Sequence, residues 1–402
     1  MKTAPAPVRH WLMKSEPDEF SIDDLAAAPR KTTAWFGVRN YQARNFMRDG
    51  MHPGDRAFFY HSSCPEPGIA GICEVASTAY PDATQFDAKS DYYDPKSTPE
   101  APRWLNVDVK LVRKIRLVHL AELREEPRLA GMRILQRGNR LSITPVTPEE
   151  WDVVLELAAR KAVEIDPDQS DALGVLGASA YWQRLDAAEA ERYFLRAVAA
   201  DAPSPMVRNY FAWFLTARGR FDEARTQLLE ALDADPLSAT INTDLGLPDY
   251  FSRNFESAKN SYRRALELDE HNFYVKARLA EAHEALGEYD QAIEQLNEAA
   301  LLSGNEVSVR TLLARALALG GRRRAAKEVL HEVESDPQHS PSPYFLALAH
   351  VALRNHSAAI DHLERARKDK DKWLGWGLVD PRLDPLRDTP EFQDFLLRTG
   401  LT

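Results

Sequence analysis

At 402 residues the chain is too long for one ordinary domain, and its 51 Lys+Arg against 61 Asp+Glu leave a net charge of −10. Two cysteines in all exclude a disulfide scaffold, and the acidic balance excludes a broad basic surface for nucleic acid. The charge is divided along the chain: residues 1–148 hold 21 basic against 18 acidic side chains, an excess of +3, whereas residues 149–402 hold 30 against 43, or −13. Nucleic-acid contact is therefore expected at a few points of the front part, while the back part repels phosphate. No apolar run reaches the length of a signal peptide or a membrane span, so the expected location is cytoplasmic.

In chain order, His10 to Lys14 reads as a short strand entering the Lys14-Ser15-Glu16-Pro17 turn, and Ser21 with Asp24 makes the capping box of a first helix. Trp35-Phe36-Gly37-Val38-Arg39-Asn40-Tyr41-Gln42-Ala43-Arg44-Asn45 follows. Asn40 is a good N-cap for a helix from Tyr41 to Arg48 that Gly50 closes, and a helix N-terminus flanked by Arg39 and Arg44 suits a phosphate. Trp35 and Tyr41 offer flat faces on which a base can stack, worth roughly 1 to 3 kcal/mol per base. Trp35 as filler of a small core, with the arginines solvated, is the competing reading.

Arg56 to Ser62, Ile69 to Ser77, Trp104 to Val118 and Leu141 to Thr144 read as strands, aromatic and β-branched, with Val107, Val109 and Leu111 alternating against Asp108 and Lys110. Short strands with few long helices describe an α+β domain built on a small curled sheet or barrel with helices at its ends. Tyr80 to Asp94 carries Tyr80, Phe86, Tyr92 and Tyr93 without periodicity and reads as a long loop holding rings. His61 and Cys64 have an H-x-x-C spacing, but with Cys73 alone nearby no four-ligand metal site follows, and no cofactor is expected.

The segments HWLMKSEP, WFGVRNYQARN, GDRAFFYHS, GICEV, AYPDATQFD, YYDPKS, PRWLNVDV and RLSITPVTPEEW stand in this order within the first 150 residues. Together they closely resemble the EVE domain, the thymocyte-nuclear-protein type within the PUA-like superfamily. The resemblance implies residues 1–150 as one EVE domain with an aromatic pocket for a modified base of the 5-methyl- or 5-hydroxymethylcytosine type, and no catalysis. Carried onto this sequence it puts Trp35 beneath the base, Lys14, Ser15 and Asn40 at its polar edge, and Phe86 or Tyr92 as the closing ring. Val38, Arg39, Tyr41, Arg44, Tyr60 and His61 complete the expected binding set, His61 either on the ligand or on backbone.

Thr147-Pro148-Glu149-Glu150 combines a capping residue, a proline at the first helical position and a glutamate at the third. The helix it starts keeps apolar spacing to Ile165 and stops at Asp166-Pro167, which predicts a junction helix over 148–166 shared by two domains.

Beyond it an internal period governs the chain. Ala197, Ala231, Ala265 and Ala299 recur every 34 residues, and Ala190, Ala224, Ala258, Ala292, Ala325 and Ala359 run seven ahead, with Glu332 in the alanine slot of the fifth unit. This is the pattern of tetratricopeptide repeats (TPR), helix pairs that bury their faces only by stacking. Six repeats are expected over 168–371, with Pro167, Pro203, Pro236 and Pro337 at the turns and a kink at Pro248, followed by a capping segment over 372–402. Trp182, Trp213, Tyr250, Phe251 and Tyr274 are the candidates for a concave peptide-binding face, with inter-repeat packing as the alternative.

No nucleotide-loop or nucleophile-elbow motif occurs, and His283-Glu284 and His331-Glu332 begin an H-E-x-x-H pattern that ends in Gly287 and Ser335. The expectation is a reader and not an enzyme: a modified base in the front pocket, DNA before RNA, and an unknown protein or peptide in the groove of the array. The alternatives are a scaffold whose front pocket is vestigial or holds a small molecule, and an RNA-binding PUA-like protein.

Overall fold

A computed structural model describes residues 9–336 and 341–401. They form two compact units, one ending at Ile165 and one beginning at Asp166. Pro337, expected at a turn, lies outside the described residues.

The front unit is built on β1 (His10–Ser15), α1 (Ile22–Ala27), β2 (Thr32–Ala34), α2 (Tyr41–Asn45), β3 (Arg56–His61), β4 (Gly68–Val75), β5 (Tyr80–Pro81), β6 (Leu105–Asn106), β7 (Asp108–His119), α3 (Leu120–Glu125), β8 (Ile143–Val146) and α4 (Pro148–Ile165). Six strands make one mixed sheet in the order β2-β7-β4-β3-β1-β8, β1 running parallel to β3 and the other neighbours antiparallel. β2 and β8 are its edges, so the pairing is that of an open sheet, and β5 and β6 pair apart from it.

Both faces of this sheet are covered, and the period of two assigns each side chain to one of two cores. Trp11, Met13, Ala57 and Phe59 point to one core with Leu25 and Trp35; Leu12, Phe58 and Tyr60 point to the other with Trp151 and Val154 of α4. Trp151 stacks on Phe58 with ring centroids 3.9 Å apart, a contact worth about 0.5–1.5 kcal/mol beyond the area it buries. The helices therefore lie on the faces of the sheet, not at its ends, because the strands are apolar on both sides.

Local chemistry sets the boundaries. Ser21 and Asp24 cap α1 reciprocally, and Thr147 and Glu150 do the same for α4. α4 is unbroken to Ile165 and lies wholly within the front unit. In its second half Lys161 pairs with Glu122 of α3, and the fully buried Glu156 receives Arg128 at 2.8 Å.

The second unit is helical: α5 (Ser170–Arg184), α6 (Ala187–Val198), α7 (Pro205–Ala217), α8 (Phe221–Ala234), α9 (Ala239–Asp244), α10 (Gly246–Phe251), α11 (Phe255–Leu268), α12 (Phe273–Ala285), α13 (Tyr289–Leu302), α14 (Val307–Leu319), α15 (Arg323–Glu334), α16 (Pro343–Ala352), α17 (His356–Lys368) and α18 (Pro390–Thr399). Up to α17 these are antiparallel pairs, and the alanines of the 34-residue period are fully buried where the helices of a pair touch. The fifth pair shifts the frame by one residue: Ala326 and Val333 are the buried side chains, while Ala325 is half-buried and Glu332 exposed. The helix that carries Pro248 is broken at Leu245 into α9 and α10, since a proline N has no hydrogen to give the carbonyl of Asp244.

The C-terminal segment does more than seal the last repeat. Leu383, Leu386, Phe392 and Phe395 are buried in one core with the side chains of the last repeats. The 3-10 turn at Lys372–Trp376 also reaches α5, where Tyr181 Oη donates to the Gly375 carbonyl at 2.8 Å and Trp182 lies 5.0 Å from Trp376. A Cβ at Gly375 would stand 2.6 Å from the Trp182 ring, so only glycine lets the segment seat there. Farther on, Arg382 pairs with Asp380 at 2.7 Å and with Glu281 of α12, while Tyr344 Oη of α16 donates to Asp380 at 2.7 Å. The segment thus touches the first helices of three repeats, α5, α12 and α16. Trp182, Tyr250 and Phe251, expected to face a peptide, are packed within this fold, and Trp213 donates its indole N–H to Asp244 at 2.9 Å.

Candidate functional site

A cavity of about 650 Å³ opens where the ends of β1 and β3, the 33–38 stretch and Tyr92 meet. Its shape starts from Gly37, which has φ +80°, a left-handed backbone that glycine adopts without strain. The Tyr92 ring lies so close that a Cβ at Gly37 would be 2.8 Å from it. The Gly37 N–H donates to Asp82 Oδ2 at 3.0 Å.

Arg39 fixes the aromatic loop to this turn. Its guanidinium donates to Asp82 at 2.8 Å, to Thr84 Oγ1 at 2.9 Å and to the Tyr92 carbonyl at 2.9 Å. Burial alone would raise the Asp82 carboxyl pKa, but the hydrogen bonds from Arg39, Thr84 and Gly37 outweigh it and hold the group below its ordinary value. Tyr92 in turn donates from Oη to Glu19 at 3.2 Å, and Phe36 meets its ring edge-on at 6.0 Å.

The floor comes from the sheet. Trp35 is 7% exposed, its ring set edge-on to Phe59 at 5.3 Å, and its backbone N–H donates to the Val107 carbonyl at 2.7 Å. Lys14 and Ser15 end β1, with the Lys14 N–H donating to the Ser142 carbonyl and Ser15 Oγ donating to the Phe20 carbonyl at 2.6 Å. Burial pushes the Lys14 ammonium below its usual pKa, and neither Lys14 nor Arg140 makes an ion pair among the described residues. Both line the cavity, so two cationic side chains face it without a carboxylate of their own.

Of the twelve side chains expected from the sequence, Lys14, Ser15, Trp35, Val38 and Tyr92 line this cavity. Arg39 stands behind the wall as described. Asn40 caps α2, its Oδ1 accepting from the N–H groups of Gln42 at 2.8 Å and Ala43 at 3.1 Å, so those donors are not offered to a phosphate. Arg44 donates to the Arg103 carbonyl at 3.1 Å and lies over Tyr41, whose ring is tilted against Trp104 with centroids 4.9 Å apart. These three residues are knit into a separate surface cluster because α2 is only five residues long and its cap satisfies itself.

Tyr60 faces the α4 side of the sheet, its hydroxyl pKa pushed up to about 12 by burial. His61 Nε2 accepts the Ile22 N–H at 3.1 Å, which makes it a helix-start partner; burial holds its pKa low, in keeping with a neutral ring. Phe86 sits half-buried on a 3-10 turn outside the lining. Sequence reading missed Glu16, Glu19, Phe20, Phe36, Ser63 and Arg140, which do line it. The HWLMKSEP run already held Glu16 and the RLSITPVTPEEW run already began with Arg140, but no local pattern says that Arg140 faces the cavity, which it reaches through β8 pairing with β1.

Residues 9–157 match the EVE domain family, and residues 175–239 and 252–316 match tetratricopeptide repeats. Human thymocyte nuclear protein 1 is 48% identical over 170 residues, covering 38% of this chain and 75% of the human protein. A crystal structure of human THYN1 protein in complex with 5-methylcytosine-containing DNA is 49% identical, covering 37% of this chain and 97% of that one, with a TM-score of 0.36. For the array, the type IV pilus assembly protein PilF of Pseudomonas aeruginosa is 29% identical over 153 residues, 38% of this chain and 56% of that protein. No helix among the described residues is long and apolar enough to cross a membrane. Both matched families are binding domains, and the chain belongs to the EVE family of the thymocyte nuclear protein 1 type, continued by tetratricopeptide repeats.

Proposed function

We propose that the chain is a non-enzymatic reader that takes a modified nucleobase, of the 5-methyl- or 5-hydroxymethylcytosine type, into the cavity over Trp35. The observation that carries this reading is the pairing of a nearly buried indole with two cationic side chains, Lys14 and Arg140, that have no ion-pair partner among the described residues. A flat face and two positive charges are what a flipped base and its flanking phosphates require. Phe36 and Tyr92 stand at the rim as closing rings, while Ser15 and Ser142 supply polar edges. The ligand class is that of the human relative, crystallised with DNA containing 5-methylcytosine. In this reading the repeats recruit a protein, and a peptide aimed at the aromatic side chains along α5 and α10 competes with Trp376 for them.

The test is a titration of the full chain with matched oligonucleotides carrying cytosine, 5-methylcytosine or 5-hydroxymethylcytosine, as DNA and as RNA. A preference for a modified DNA strand that Trp35→Ala reduces at least about 5-fold is expected, since one stacked base contributes roughly 1 to 3 kcal/mol. Equal binding of all strands by parent and variant would overturn the reading. Circular dichroism of the variant separates loss of the stacking face from loss of the fold.

A further inference from the structure

The last three helices of the repeats bring together side chains that the sequence scatters. Glu334 ends α15, His350 lies in the last turn of α16 and His362 lies on α17, and one ligand atom from each falls within 4.8 Å of the others. The two imidazoles are stacked 14° from parallel with centroids 5.0 Å apart. His350 Nε2 faces Glu334 Oε1 at 3.8 Å, beyond hydrogen-bond length, and His350 Nδ1 is shielded from solvent with no hydrogen-bond partner. Among the described residues His362 likewise makes no hydrogen bond. His350 Nδ1 is thus left unsatisfied beside a carboxylate, an arrangement costing about 1–3 kcal/mol unless something else binds there, and the half-buried His362 ring lies against it.

A cavity of about 290 Å³ adjoins them and is lined by His331, Glu334 and His350 together with Leu330, Leu353 and Lys327. His331 precedes Glu334 by one helical turn and therefore shares its face of α15. The H-E-x-x-H pattern that starts at His331 fails in sequence at Ser335, but the fold brings imidazoles from two other helices to the same place. The opposing charge in the lining, Lys327, is on an exposed side chain free to turn to solvent.

We propose that Glu334, His350 and His362 form a binding site for a divalent late first-row transition cation of the Zn²⁺ class, with His331 on the wall of the adjoining cavity. Nitrogen donors in the majority favour Zn²⁺ and its neighbours over Mg²⁺ or Ca²⁺, which take oxygen. A tetrahedral ion with bonds near 2.0–2.1 Å holds its ligands about 3.3 Å apart, so the three side chains close on it by about 1.5 Å through rotamer changes. The ion would tie α15 to α16 and α17, the final helix pairs of the array.

The experiment is a competition titration of the metal-stripped full chain with Zn²⁺ against a chromophoric chelator, with Co²⁺ absorbance as the geometric readout. The parent is expected to take up one more equivalent of Zn²⁺ than His350→Gln/His362→Gln, to show the strong visible band of a tetrahedral Co²⁺ site, and to melt at higher temperature with Zn²⁺ present. Glu334→Gln, an exposed change that spares the fold, should weaken the same equivalent at least about 10-fold. Identical Zn²⁺ stoichiometry and affinity in parent and both variants, or no Co²⁺ band in the parent, would overturn the site and leave Glu334 and His350 as an ion pair only.

Discussion

Trp376 lies flat over Phe251, their ring centroids 4.7 Å apart and their planes 8° from parallel. The contact joins the C-terminal segment to the third repeat, and the other edge of the same indole approaches Trp182 of the first. A solenoid whose repeats touch only their neighbours is here tied together by a segment that crosses several of them. Trp376→Ala is expected to cost about 3–5 kcal/mol, the usual range for a buried aromatic removed from a core. Urea unfolding followed by tryptophan fluorescence checks it; a loss under about 1 kcal/mol would mean that the segment lies on the repeats without supporting them.

Arg39 is expected to act on the cavity through the loop it holds. Arg39→Ala leaves the buried Asp82 carboxylate without its guanidinium and frees the Tyr92 carbonyl, at a cost of about 3 kcal/mol or more. Both the melting temperature of the front unit and affinity for a modified-base oligonucleotide should fall. Unchanged melting with lost affinity would instead put Arg39 directly on the ligand.

Stability of the repeats should depend on pH through Asp244. Burial pushes its carboxyl up to about 6, against hydrogen bonds from Asn209 and Trp213, while an unfolded aspartate titrates near about 3.9. Because the folded state holds that proton more tightly, this contribution is fully present below about pH 4 and is lost as the pH rises to about 6. Glu284, raised to about 7 by burial, extends the decline in the same direction to about pH 7. Asp380, held low by Arg382 in spite of burial, works the other way, but only where the pH falls below the ordinary carboxylate range. Urea midpoints at several pH values should fall between pH 4 and 6, and Asp244→Asn should flatten that part of the curve. Parallel curves for parent and variant would show that another group sets the dependence.

Oligonucleotide binding should weaken only modestly with salt, since among the described residues the cations lining the cavity are Lys14 and Arg140. Lys14→Ala and Arg140→Ala are each expected to reduce the slope of log affinity against log salt by about one or less, without changing preference between bases. A parental slope such as six or more phosphate contacts would give points to a larger basic surface elsewhere.

Much of this molecule was fixed by local chemistry that a single sequence displays. The strands at His10, Arg56 and Asp108, the reciprocal caps at Ser21 and Thr147, and the Asn40 cap depend on residues close along the chain. The repeats were legible for a related reason, because a helix pair that must stack on its copy carries the same buried alanine every 34 residues. Trp35 and Tyr92 line the cavity, while Tyr41 and Arg44 do not: whether an aromatic or an arginine faces a cavity or a neighbour depends on which partner the fold supplies, here Trp104 and Arg103.

Only the tertiary structure decided the features made by residues distant in sequence. Arg140 reaches the cavity because β8 pairs with β1, and Trp376 finds Phe251 because the chain turns back after α17. His350 and His362 meet Glu334 because α15, α16 and α17 pack together. Side-chain periodicity states which face of an element is buried, but it carries no information about which other face lies against it; that choice is made by the packing of the whole unit.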